Sequence, residues 1–85
     1  MADTLLIIED EISQGKVLEY YYQSQGWRVW HSFTLAEARQ VFITQHFEPL
    51  VVLADISLPD GNALDLLEEV RNHSLGGEWI FLTGY

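Results

Sequence analysis

The sequence predicts an α/β domain in which a parallel sheet carries helices on both faces. Short apolar runs of strand-forming residues alternate with segments of helical periodicity, and the connections between them are only a few residues long. Such connections between neighbouring parallel strands are right-handed. The 85 residues suffice for one small domain, and no repeat, low-complexity tract or linker divides them.

The chain begins with a strand, a helix and a second strand. The apolar run Leu5–Ile8 predicts a strand that is covered on both faces. Residues Ile12–Gln25 have the spacing of a helix, and Gly26 follows where a left-handed C-terminal cap is expected. Residues Trp27–His31 favour a strand, but their mixed polarity indicates a position at the edge of the sheet.

A second helix and the most strand-like run of the chain come next. The sequence Thr34-Leu35-Ala36-Glu37 is a capping box, in which the Thr34 hydroxyl accepts from the Glu37 amide. Apolar residues at helical spacing then continue as far as Gln45. Pro49 ends that segment, and Leu50–Ala54 predicts a third strand.

The last part of the chain adds a loop, a third helix and a fourth strand. Residues Ser57–Asn62 are rich in turn formers, and Ala63–Arg71 carries a clean apolar stripe at helical spacing. We expect Asp60 to cap the start of this third helix. Gly76-Gly77 interrupts the chain before the apolar strand Glu78–Leu82.

The composition excludes several classes of function. Thirteen acidic residues against four basic ones give a net charge of −9, which repels nucleic acid and anionic lipid. The absence of cysteine excludes disulfides and thiolate chemistry. No apolar run is long enough to span a membrane, and the N-terminus does not resemble a targeting peptide, so we expect a cytoplasmic protein.

Functional groups stand at the ends of three predicted strands. Glu9 and Asp10 follow the first strand, Asp55 ends the third, and Thr83 ends the fourth. Taken singly, each acidic residue is better explained as a solvated turn former. Because the ends of parallel strands share one edge, however, we expect the three carboxylates to lie close together, where ligands collect in such sheets. Crowded carboxylates repel each other unless a cation neutralises them, and hard oxygen ligands suit Mg²⁺.

Three motifs carry a family resemblance, and they are Leu6–Glu11, Ala54–Gly61 and Leu82–Gly84. With their spacing, the chain resembles the receiver domain of bacterial two-component response regulators, the CheY-like phosphoacceptor fold. The resemblance implies a flavodoxin-like, doubly wound sheet with strand order 2-1-3-4. It also implies a cytoplasmic signalling domain rather than an enzyme, with a sensor histidine kinase as its partner.

The resemblance also implies a role for each site residue. Asp55 would accept the phosphoryl group from a phosphohistidine of the kinase. Asp10, Asp55 and the main-chain carbonyl of Ser57 would bind Mg²⁺ directly, and Glu9, where the family more often has Asp, would hold it through a water molecule. The Thr83 hydroxyl would bond a phosphoryl oxygen and act as the switch.

The C-terminus departs from the family pattern. The family continues through a fourth helix, a fifth main-sheet strand and a fifth helix, so we interpret residues 1–85 as the N-terminal portion of a single receiver domain. The missing strand would carry a lysine that pairs with the phosphoryl group, and Lys16 matches no such position. The open edge of the fourth strand would favour self-association or domain swapping. An output module, often DNA-binding in this family, would lie outside this segment.

Alternative interpretations remain open at this stage. A truncated receiver with impaired phosphorylation would act only as an interaction or dimerisation module. A magnesium-dependent phosphatase of similar topology is weaker, because Ser57 occupies the position where such a site needs a second acid. Three histidines, His31, His46 and His73, are expected to lie far from the acidic cluster, at the surface or rim.

Overall fold

The computed structural model describes residues 3–73 and 77–82, and within them an alternating α/β chain. The elements in chain order are β1 (Thr4–Ile8), α1 (Ile12–Ser24), β2 (Arg28–Ser32), α2 (Leu35–Arg39), a π-helical turn (Gln40–Thr44), β3 (Val51–Asp55), β4 (Ser57–Leu58), β5 (Gly61–Asn62), α3 (Ala63–Asn72) and β6 (Glu78–Leu82). Across the described ranges, no helix is both long and apolar enough to cross a bilayer.

The main sheet has four parallel strands in the order β2-β1-β3-β6. Since β6 is the fourth predicted strand, the predicted order 2-1-3-4 is confirmed. Residue Ile8 pairs in register with both Ser32 and Ala54, so β1, β2 and β3 reach the carboxyl edge together. This register brings Glu9, the residue after β1, to the same level as Asp55.

Apolar side chains cover both faces of the sheet, as expected for a doubly wound fold. On one face, α2, the π-helical turn and α3 pack on alternate residues of β1 and β3. The buried members of this cluster are Leu6, Ile8, Ala38, Phe42, Val52, Ala54, Leu58, Ala63, Leu66 and Val70. On the other face, Leu18 and Tyr22 of α1 pack on the buried residues Leu5, Ile7 and Leu53. The alternation follows from the period of two along a strand.

The end of α1 forms as the sequence predicts. Gly26 has a φ of +94°, in the left-handed region. Its N–H donates to the Gln23 carbonyl, and the Trp27 N–H donates to the Tyr22 carbonyl. This pair of bonds is a Schellman motif, which satisfies carbonyls at the helix end and turns the chain into β2.

Two segments differ from the prediction. The regular helix expected as far as Gln45 is α-helical only over Leu35–Arg39 and continues as a π-helical turn over Gln40–Thr44. Apolar spacing does not distinguish the two, because Phe42 reaches the core in either. The predicted turn Ser57–Asn62 contains a short antiparallel hairpin, β4 and β5.

The capping box at the start of α2 is confirmed. The Glu37 N–H donates to the Thr34 hydroxyl oxygen at 3.1 Å, and the Glu37 carboxylate accepts from the Phe33 N–H at 3.2 Å. At the far edge of the sheet, β6 pairs only with β3 among the described strands, and Ile80 is 52% exposed. Whether this edge associates with another chain stays a prediction.

Candidate functional site

Three carboxylates converge at the carboxyl edge of the sheet, as the sequence predicts. One oxygen from each of Glu9, Asp10 and Asp55 can be chosen so that all three lie within 4.8 Å of one another. Glu9 is buried, Asp55 is half-buried and Asp10 is exposed. The cluster is therefore partly accessible to solvent.

Glu9, the buried member of the cluster, lies in an environment that disfavours its charge. Burial raises the pKa of Glu9, and the nearby charges of Asp55 and Asp10 raise it further. A hydrogen bond from the Glu11 N–H to Glu9 Oε1, at 3.1 Å, acts in the opposite direction. Since the net pKa shift is upward, the ionised form of Glu9 is disfavoured in the metal-free fold.

Both polar groups of the Glu9 main chain are hydrogen-bonded to residues of β2. The Glu9 N–H donates to the Ser32 carbonyl at 3.1 Å, which extends the β1–β2 pairing by one residue. The Glu9 carbonyl lies 2.9 Å from Nε2 of His31. The expectation that His31 lies far from the cluster is therefore wrong. The last part of β2 runs alongside the end of β1, and the side chain of His31 reaches beyond it.

The loop that follows Asp55 is fixed by two polar side chains. Asn62 Oδ1 accepts from the Leu64 N–H at 2.8 Å and thereby caps α3. Asp60 does not cap α3 as expected. Its two carboxylate oxygens accept from the N–H groups of Leu35 and Ala36, at 3.1 and 3.0 Å, at the start of α2. Asp60 stands in the turn of the β4–β5 hairpin, and Asn62 occupies the N-cap of α3, so Asp60 bonds instead to the first N–H groups of α2, which have no partner within their own helix.

The remaining predicted site residues are Ser57 and Thr83. Ser57 lies in β4, two residues after Asp55, and pairs in register with Asn62. Thr83 lies outside the described residues. Its predecessor Leu82 is in register with Asp55, at the carboxyl end of β6.

The donor set fits a small divalent cation. Its ligand atoms are carboxylate oxygens, which are the ligands that Mg²⁺ prefers, and one side of the cluster is open to water. Burial raises the pKa of Glu9 most, and the charges of Asp55 and Asp10 raise it further; a cation among the three carboxylates would offset that repulsion. Magnesium keeps several water ligands and needs only one or two carboxylates, which suits a site at the surface of a sheet edge.

The sequence resembles known regulators over nearly its whole length. It is 32% identical to the methanogenesis regulatory protein FilR1 of Methanothrix harundinacea over 84 residues, which are 95% of this chain and 19% of FilR1. It is 34% identical to the transcriptional regulatory protein DpiA of Escherichia coli K12 over 82 residues, 94% of this chain and 35% of DpiA. The chain thus spans about a third or less of these curated relatives. No protein-family model matches it.

The fold matches that of a solved response regulator. The MaeR response regulator bound to beryllium trifluoride superimposes with a TM-score of 0.84 at 27% identity, covering 98% of this chain and 68% of that one. The homologues of the present chain are response regulators, and the fold of the chain is that of their receiver domain. The resemblance drawn from the three strand-end motifs is confirmed, as is the flavodoxin-like fold class.

One part of the site was missed by sequence reasoning. The contact between His31 and Glu9 joins residues that are 22 positions apart, and no sequence pattern at either residue predicts it. A usable signal existed in Gly15, because a glycine inside a helix costs about 1 kcal/mol relative to alanine and can therefore indicate a packing constraint. Gly15 is the buried residue of α1, and the His31 ring packs directly on it.

Proposed function

We propose that this chain is the phosphoacceptor part of a two-component response regulator, with Asp55 as the residue that receives the phosphoryl group. The observation that supports this most strongly is the convergence of Glu9, Asp10 and Asp55 at one edge of a receiver fold. We further propose that residues 1–85 belong to a single receiver domain. The partner is then a sensor histidine kinase, and the setting is the cytoplasm.

The chemistry follows from the position of Asp55. A carboxylate oxygen attacks the phosphorus atom of a phosphohistidine, the new O–P bond forms, and the N–P bond breaks. The electron pair of that bond stays on the imidazole nitrogen, and the product is an acyl phosphate. A carboxylate nucleophile requires no general base. The half-buried position of Asp55 leaves one side of it open to an incoming donor.

The residues of the cluster would also hold the metal ion. Asp10, Asp55 and the Ser57 carbonyl would supply direct ligands, and Glu9 would bind through a water molecule. When bound, Mg²⁺ neutralises charge on the transferring oxygens, which is the main requirement of phosphoryl transfer. Thr83, the residue that follows β6 in the sequence, would act as the switch that senses the phosphoryl group. Any DNA-binding output belongs to the parent regulator rather than to this acidic segment.

The direct test is phosphorylation by a small donor. The chain is incubated with phosphoramidate and Mg²⁺ and measured by intact mass. We expect a single phosphoryl adduct that hydroxylamine removes, as it does acyl phosphates. Asp55→Asn should abolish the adduct, whereas Asp65→Asn, which changes an exposed aspartate on α3, should keep it.

The same experiment addresses the alternative of a module that acts only through interaction. A folded chain that binds Mg²⁺ yet forms no adduct at any donor concentration would contradict the proposal and favour that alternative. An adduct that persists in Asp55→Asn would place the acceptor elsewhere.

A further inference from the structure

We propose that His31 is a positioning residue for the metal site, and that Gly15 provides the space for it. This inference rests on the proposed function, because it concerns how Glu9 and Asp10 are aimed at the cation. The His31 side chain holds the Glu9 carbonyl, and it thereby fixes the backbone from which both carboxylates project. It acts through the Glu9 main chain and would not itself be a ligand of the metal.

The His31 side chain forms a hydrogen bond with the main chain of Glu9. Nε2 of His31 and the main-chain oxygen of Glu9 are 2.9 Å apart, a normal N–H···O distance. The carbonyl can only accept, so Nε2 carries the hydrogen, as it does in one neutral tautomer and in the imidazolium ion. With the Glu9 N–H already bonded to the Ser32 carbonyl, both polar groups of the Glu9 backbone are tied to β2.

The imidazole ring of His31 packs closely against α1. A Cβ atom at Gly15 would lie 2.6 Å from Nε2 and would overlap Cε1 of the ring. On another side, the Phe33 ring lies 4.1 Å away between centroids. The imidazole is therefore confined between α1 and Phe33, and its rotation away from Glu9 is restricted.

The contact between His31 and Glu9 acts on the carboxylates through the turn that carries them. The turn from β1 to α1 is closed by the Glu11 N–H bond to the Glu9 carboxylate and by the Gly15 N–H bond to the Glu11 carbonyl, at 3.1 and 2.9 Å. His31 attaches this turn to the sheet at Glu9. Without that attachment, the backbone that carries Glu9 and Asp10 gains freedom that metal binding must remove. Residues that orient ligands in this way typically change metal affinity by 10- to 100-fold.

A plain packing role would give the same structure, so the test must separate the N–H donor from the bulk of the side chain. We compare His31→Gln with His31→Met, since the two side chains have similar length and only Gln ends in an N–H donor. Mg²⁺ is titrated into the full chain, and binding is followed by the amide NMR shifts of residues 9–11 and 55. Thermal unfolding of each metal-free variant reports on folding.

We expect His31→Met to raise the Mg²⁺ dissociation constant about 10-fold, and His31→Gln to stay within about 3-fold of the wild type. Equal dissociation constants for the Gln and Met variants would overturn the inference. If the Met variant does not fold, His31→Phe, which keeps a ring on Gly15, replaces it under the same criterion.

The outcomes separate this inference from the proposed function. Wild-type binding of Mg²⁺ with no effect of His31 would overturn the positioning role alone. Failure of the folded wild type to bind Mg²⁺ would overturn the proposed function, and the role of His31 with it.

Discussion

Two acidic loops meet at the carboxyl edge of the sheet, and they use their carboxylates in opposite ways. In the turn of residues 9–11, Glu9 is buried beside two other acids, and its pKa is raised, chiefly by burial. In the loop of residues 56–62, Asp60 is exposed and accepts two backbone N–H groups of α2. Its pKa is lowered, chiefly by the bond from the Leu35 N–H.

The two pKa shifts separate a carboxylate that is suited to ligand binding, Glu9, from one that stabilises the fold, Asp60. The ionised form of Glu9 is disfavoured in the folded, metal-free state, so folding gains nothing from its charge there. The charge of Asp60 is favoured in the folded state, because it satisfies donors at a helix start. A carboxylate that the fold disfavours is a candidate for ligand binding, and one that the fold satisfies is part of the framework.

The largest expected effect comes from a substitution that fills the space occupied by the His31 ring. Gly15→Ala places a methyl group inside the imidazole ring, and the ring or the helix must shift. We expect the free energy of unfolding to fall by about 1–3 kcal/mol, as for other overpacked sites. Denaturant unfolding of the metal-free chain measures this loss.

The matched control reverses the sign of that effect. In a His31→Ala background the obstacle is gone, and replacing glycine by alanine within a helix should raise stability by about 1 kcal/mol. A destabilising Gly15→Ala in both backgrounds would show that the ring does not occupy this space.

A smaller, pH-dependent effect is expected at Glu9. Because burial and the neighbouring charges hold its folded pKa above the ordinary value of 4.5, the folded state binds this proton more tightly than the unfolded state. Stability therefore falls as pH rises from 4.5 through the folded pKa, and the loss persists above it. Glu9→Gln lacks this titration. In the absence of metal, we expect it to be more stable than the wild type at neutral pH.

Unfolding of both proteins across a pH series checks this expectation. The difference between them should shrink towards acid pH, where Glu9 is protonated in the wild type. A Glu9→Gln variant that is less stable than the wild type at neutral pH, in metal-free buffer, would contradict the assignment of Glu9 as a strained carboxylate.

The smallest effect is expected at Asp60, and it has the opposite sign. A lowered pKa contributes stability above the unfolded value, and that stability is lost as pH falls through the folded pKa. Asp60→Asn should lower the free energy of unfolding at neutral pH by no more than about 1 kcal/mol, since solvent screens an exposed carboxylate. A destabilisation that persists unchanged at acid pH would indicate that its charge is not responsible.

The sequence predicted the layout of the sheet and the three carboxylates, because strand ends in a parallel sheet must share an edge. Glu9, Asp10 and Asp55 follow from that rule alone. The partners of His31 and Asp60 did not follow from it. Their bonds to Glu9 and to the start of α2 depend on how neighbouring units pack, and the β4–β5 hairpin redirects Asp60 in a way that turn-forming residues do not reveal.

The central claim is that the cluster of Glu9, Asp10 and Asp55 is built for a cation, and its most direct test is the effect of Mg²⁺ on stability. Unfolding of the wild type and of Asp55→Asn is measured with and without Mg²⁺. At a concentration ten times the dissociation constant, binding should raise the free energy of unfolding of the wild type by about 1.4 kcal/mol. Asp55→Asn should gain markedly less. An equal gain in both proteins, or none in the wild type, would contradict the claim.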